Sequence, residues 1–285
     1  MNKEPTSWIT VKGNHIPIFE GQTQEEAINN FFNDKYEEDL EDVKPLVTAK
    51  RYYIGDMEVW ASAVKGIKKS GRESELRIVE ESIPEDSAYI RSYPKLKKQE
   101  DYKQAAVATN PHYDTGKYEW TYNCQRCVVA WEMRYRGYDV TAKPRLSAED
   151  EIVFKDANDW RKCFKGFEWE SLDYYYPEDP TQTYRDIEVE VLKNPCGSRF
   201  IFSIQWMKHR WQDKASRHAF IGVINDKHEL EYYDPQSGKK YHWKSYANMR
   251  HTKWCRIDNK ELTDLVSNCV YKEGEDKDET TQEQE

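Results

Sequence analysis

Apolar residues recur at helical spacing most clearly between Asn123 and Tyr138. Cys124, Val128, Trp131 and Tyr135 share one face of a 3.6-residue period, so the spacing predicts an amphipathic helix with that stripe buried. Both ends carry boundary signals. Asn123 suits the N-cap, because its side-chain oxygen can accept from a first-turn N–H. Gly137 suits the left-handed position after the last turn, and Arg134 and Arg136 put cations at the negative end of the helix dipole. Cys124 then falls in the first turn, where helix N-termini favour a thiolate. The plain alternative is a buried cysteine packing as a small hydrophobe.

Further along, the period drops to two. Arg199 to Trp206 alternates and reads as a strand. Ala219 to Ile224 and Glu229 to Tyr233 form a hairpin around Asn225-Asp226-Lys227. Pro235 to Gly238 is a turn, with a short strand from Lys240 to Trp243. Between helix and strands, Tyr138 to Ala142 is extended and Asp156 to Cys163 is a helical turn with Asn158 as a competing cap. Phe164 to Tyr184 reads as a long loop, and Ile187 to Leu192 fits strand or helix. One helix followed by antiparallel strands predicts an α+β domain.

The first hundred residues are less regular. Trp8 to Val11 and His15 to Ile18 form a hairpin with Gly13 in its turn. Gln24 to Asp34 reads as a helix, as do Asp56 to Lys69 and, with a fainter period, Glu73 to Glu81. Tyr36 to Asp42 is an acidic, solvated or linking segment. Periodicity is lost from Pro84 to Pro111, which places a boundary there. The expected division is an accessory region over 1–105, a catalytic domain over 106–272 and a disordered acidic tail over 273–285.

Composition narrows the function. A net charge of -9 speaks against a general nucleic-acid binder, and no apolar run approaches membrane-spanning length. Met1 to Pro5 lacks a signal-peptide hydrophobic stretch, so the expectation is synthesis in the cytosol, with any export by a non-Sec route. The 6 Cys are scattered and read as free thiols. Cys124-x-x-Cys127 has no second pair at zinc spacing, so no metal or other cofactor is expected. A thioredoxin-like role stays open if Tyr118 to Tyr122 is a strand.

Two residues could complete a site around Cys124. His218 begins one strand of the hairpin and Asp234 ends the other, so antiparallel pairing makes them neighbours. His218 could take the thiol proton while Asp234 fixes the imidazole; the plain reading is a surface histidine near a turn aspartate. His15, His112, His209, His228, His242 and His251 have weaker cases and read as surface or packing residues.

The run NCQRCVVAWEMRYRGYDVTAKP, followed by SRHAFIGV and LEYYDPQSGKKY, resembles papain-fold toxins of the glutamine-deamidase type over Asn110 to Trp243. The segment WITVKGNHIPIFEGQTQEEAI resembles leaders of phage structural proteins. The family resemblance implies a papain-like core, a helix bearing Cys against a sheet bearing His and Asp. It also implies a cysteine hydrolase that deamidates a protein glutamine, with Cys124 as nucleophile and Cys127, the papain register, as alternative. Oxyanion or substrate contacts fall to the backbone N–H of the nucleophile together with Gln236 or Gln125. A papain-like protease, an acyltransferase or a non-enzymatic phage structural protein are the competing readings. A glutamine-bearing protein substrate, an immunity protein or a phage particle are the implied partners.

Overall fold

The computed structural model of the chain describes residues 7–11, 14–18, 47–54, 56–59, 68–82, 84–145, 159–172, 180–206, 217–241 and 249–272. Its strands are β1 (Ser7–Val11), β2 (Asn14–Ile18), β3 (Val47–Ile54), β4 (Met57–Val59), β5 (Leu76–Ser82), β6 (Val140–Ala142), β7 (Arg199–Trp206), β8 (Arg217–Ile224), β9 (Leu230–Asp234), β10 (Lys239–Tyr241), β11 (Met249–Arg256) and β12 (Val270–Lys272). Its helices are α1 (Ala88–Arg91), α2 (Tyr102–Thr109), α3 (Tyr118–Thr121), α4 (Cys124–Tyr135) and α5 (Pro180–Val191).

Successive residues of a strand point to opposite faces, and here both faces are covered. The central antiparallel sheet runs β10-β9-β8-β7-β11. Ile201, Ala219, Ile221, Val223, Tyr233 and Cys255 pack with Val128, Trp131 and Met133 of α4. Phe200, Phe202, Phe220, Ile224, Tyr232 and Trp254 pack with Tyr184, Ile187 and Val191 of α5. A helix on each face of an antiparallel sheet is an α+β architecture.

The stripe of α4 sits as its spacing requires. Val128 and Trp131 are fully buried, and Cys124 and Tyr135 pack on the same cluster from its margin. The helix ends in a Schellman motif. Gly137 takes φ 89, Tyr138 N donates to Met133 O at 3.0 Å and Gly137 N to Arg134 O at 2.8 Å. Helix α2 crosses above it: Trp131 Nε1 donates to Tyr102 O at 3.1 Å, and the Tyr102 ring stacks on Tyr135 at 4.7 Å.

The polar residues of α4 are not a solvated face. Glu132 is fully buried and receives both Nε and Nη2 of Arg199 at 2.8 and 2.7 Å, and Nε of Arg136 at 2.9 Å. Arg136 also reaches Asp86 and the carbonyls of Ile257 and Lys260, while Arg134 pairs with Glu100 and Asp139. These arginines are tied into the interior rather than placed only to suit the dipole. Burial disfavours a charged Glu132, but the two guanidinium groups outweigh it and hold its carboxyl below the usual range. The network continues outward: Arg199 N donates to Asp258, Arg256 pairs with Asp258 and Glu81, and Glu81 with Arg51. It thereby fastens the three-stranded sheet β4-β3-β5 to the core.

Several elements depart from the sequence expectation. Residues 57–59 and 76–82 are strands rather than helical, because β3 pairs with β5 along its length and with β4 over Tyr52 to Ile54, and pairing overrides local propensity. Pro180 to Tyr184 is helix rather than loop, with Pro180 at the first helical position, where its missing N–H costs nothing; the ambiguous Ile187 to Val191 completes that helix. Residues 160–163 form a 3-10 turn capped by Asp159. Phe164 and Glu170 are pinned by bridges to Leu262 and Trp254. Tyr118 to Thr121 is helical, so the strand that a thioredoxin-like motif requires is missing before Cys124. Ile90 and Tyr93, upstream of the expected boundary at 105, share the core of α4. The hairpin β1–β2 forms as expected. Gln24 to Asp34, Tyr36 to Asp42 and the tail from Glu273 lie outside the described residues.

Candidate active site

Cys124 opens α4, directly after Asn123. Asn123 does not cap with its side chain. Its backbone sits at φ -101, ψ 21, not in the extended conformation that aims a capping oxygen at the first turn. Its main-chain oxygen instead accepts from Arg126 N at 2.9 Å and Cys127 N at 3.1 Å. Its side chain turns inward: Oδ1 receives the Cys127 thiol at 3.3 Å, and Nδ2 donates to Lys143 O at 3.1 Å.

The hairpin brings the other two groups to the same place. β8 and β9 are in register at Ile221↔Tyr233, so the start of β8 lies beside the end of β9. His218 Nε2 stands 3.3 Å from Asp234 Oδ2, with side chains 11% and 9% exposed. Asp234 is itself fixed: Oδ1 accepts from Gln236 N and Oδ2 from Ser237 Oγ, both at 3.0 Å. Cys124 lies close enough to His218 to act on its charge. Burial opposes protonation of the imidazole, but the hydrogen bond to Asp234 and the nearness of Cys124, with their charges, outweigh it and push its pKa up to about 10. Burial raises and His218 lowers the Asp234 carboxyl, which ends below its usual range. The geometry is a thiol, an imidazole and an oriented carboxylate in series.

The two cysteines differ sharply. Cys124 is partly exposed; Cys127 is fully buried. Burial, then the nearby Cys124 and Asp234, push the Cys127 thiol well up. Gln125 is exposed. Gln236 is buried, with Nε2 3.5 Å from Asn123 Oδ1. His112 lies tilted against Trp120 with ring centres 4.6 Å apart, and His228 lies 3.6 Å from the Cys196 thiol. His209 and His242 lie outside the described residues, and the side chains of His15 and His251 are not described.

Asn110 and Ser237 contribute contacts that the sequence pattern did not single out. For Ser237, its place three residues after Asp234 in a turn was an available signal; Asn110 had none. Among the described residues no group of three or more His, Cys, Asp or Glu side chains could hold a metal ion, and no helix is long and apolar enough to cross a membrane.

A helix that presents a cysteine against an antiparallel sheet presenting histidine and aspartate is a papain-like core. Residues 122–239 match the family described as papain fold toxin 1, glutamine deamidase, a span that takes in Cys124, His218 and Asp234. Searches of curated proteins and of solved structures gave no significant match.

Proposed function

We propose that this protein is a cysteine-dependent amidohydrolase that deamidates a glutamine side chain of a target protein. The observation that carries the reading is His218 paired with Asp234 at 3.3 Å and within electrostatic reach of Cys124, inside the segment matched to a deamidase family. The Cys124 thiolate attacks the carboxamide carbon, and protonated His218 gives its proton to the departing nitrogen. Ammonia leaves and a thioester to Cys124 remains. His218, now neutral, takes a proton from water, whose oxygen attacks the thioester. Glutamate forms and the thiolate–imidazolium pair returns. Asp234 holds the ring through Nε2, which leaves Nδ1 for the thiol.

For the oxyanion, the first-turn backbone N–H groups are the better candidates, since Gln236 is turned toward Asn123 and Gln125 toward solvent. The partner is a glutamine-bearing protein; an immunity protein and a phage particle belong to the same proposal at a further remove.

The test is peptide mapping of a cell lysate treated with the wild-type protein or Cys124→Ala. Glutamine converted to glutamate at discrete sites, only with the wild type, supports the reading. New peptide termini without such conversion make the protein a protease instead.

A further inference from the structure

The candidate site is assembled from segments that a cluster of buried amides holds together, and Asn110 is its hub. Asn110 follows α2 and is 5% exposed. Its Nδ2 faces three oxygens: Gln236 O at 2.8 Å, Trp120 O at 2.9 Å and Asn123 Oδ1 at 3.3 Å. These belong to the turn after β9, to α3 and to the residue before Cys124. Asn123 and Gln236 are buried as well, at 2% and 8%. Gln236 is the residue whose N–H holds Asp234. One carboxamide thus ties the start of the cysteine helix to the turn that orients the carboxylate.

A second contact fastens the same turn to α2. Gly238 has φ +69, and a Cβ there would meet Val107 Cα of α2 at 3.2 Å. The turn over 235–238 therefore rests on the backbone of α2, with Asn110 at that helix's end. Two carbonyls and an amide oxygen converge on a single NH2 group, so its loss leaves buried acceptors without that donor on both sides of the joint. The segments would then be free to shift relative to each other, and catalysis is sensitive to displacements of about 1 Å.

We propose that Asn110 is a positioning residue for the reaction: it sets the register between Cys124 and the His218–Asp234 pair by clamping Asn123 and Gln236. It acts through these groups and does not touch the substrate. The proposal rests on the reading of Cys124, His218 and Asp234 as the working site.

The experiment follows alkylation of Cys124 by iodoacetamide against pH, with peptide mapping to separate it from the other cysteines. It compares the wild type with Asn110→Ala, Gly238→Ala, His218→Ala and Asn194→Ala. The last is a control, because Asn194 Nδ2 donates to Val191 O at the end of α5. Asn110→Ala and Gly238→Ala should each slow the neutral-pH reaction by roughly tenfold and move the profile to higher pH. Asn194→Ala should keep the wild-type profile at whatever melting temperature it shows. Should Asn110→Ala not fold, Gly238→Ala, which loosens the same joint, decides the matter. Wild-type profiles for both, with His218→Ala slowed, overturn the positioning role and leave the site reading intact. An unchanged His218→Ala profile overturns the site reading, and the positioning role with it.

Discussion

The Cys127 thiol donates to Asn123 Oδ1 at 3.3 Å, four residues along the chain and one turn into the helix that Cys124 opens. That bond gives Cys127 a structural task and commits its proton. The two cysteines of this C-x-x-C are therefore unequal before any chemistry is considered. Cys127→Ala should retain rapid alkylation of Cys124 and substrate turnover, at a stability loss of about 1 kcal/mol for a small buried side chain. Cys124→Ser should abolish both while leaving the melting temperature close to wild type. Loss of turnover in Cys127→Ala together with a fast remaining thiol in Cys124→Ser would transfer the nucleophile to Cys127.

The pair His218–Asp234 makes stability depend on pH in a defined sense. His218 titrates at about 10 in the fold against an ordinary 6.5. Its contribution is thus fully present below pH 6.5 and is lost as the pH rises through about 10. Asp234 is shifted down from 3.8, so its contribution is present above that value and is lost as the pH falls through the lower folded one. Urea unfolding of wild type and His218→Gln should show a gap that is wide at about pH 6 and closes toward about pH 10. A gap that widens over that range would contradict the assigned protonation.

The buried cluster Arg136–Glu132–Arg199 should be unforgiving of partial removal. Both arginines rely on Glu132. Glu132→Gln leaves Arg199 without its ion-pair partner and Arg136 with Asp86 alone, and should cost about 3–5 kcal/mol. Differential scanning calorimetry measures the loss. A change under about 1 kcal/mol would mean that solvent reaches the cluster.

Much of this arrangement was legible in the chain, and the remainder fails for identifiable reasons. The α4 helix announced itself because four residues at helical spacing ended in a glycine that takes φ 89. The adjacency of His218 and Asp234 followed from strand ends and a short turn, both local signals. β3 and β5 were missed because each depends on a partner some thirty residues away, as Arg51↔Val79 illustrates. β11 was missed because Met249–Arg256 carries two arginines, a histidine and a lysine, which hide its alternation. Arg134, Arg136 and Glu132 read as ordinary charges on a helix; their burial is decided by Glu100, Asp86 and Arg199, far off in sequence. Asn110 lay in a stretch without periodicity, and its partners Trp120, Asn123 and Gln236 stand 10, 13 and 126 positions away.

The central claim is that Cys124, activated by His218, attacks a glutamine side chain. A peptide carrying a chloromethyl ketone in place of the glutamine carboxamide tests it directly on the protein, with no target protein required. The account predicts stoichiometric labelling of Cys124 at neutral pH, slowed by an unmodified glutamine peptide and lost in His218→Ala. Labelling that settles on Cys127, or that spreads over the cysteines at the rate of the unfolded chain, would contradict it.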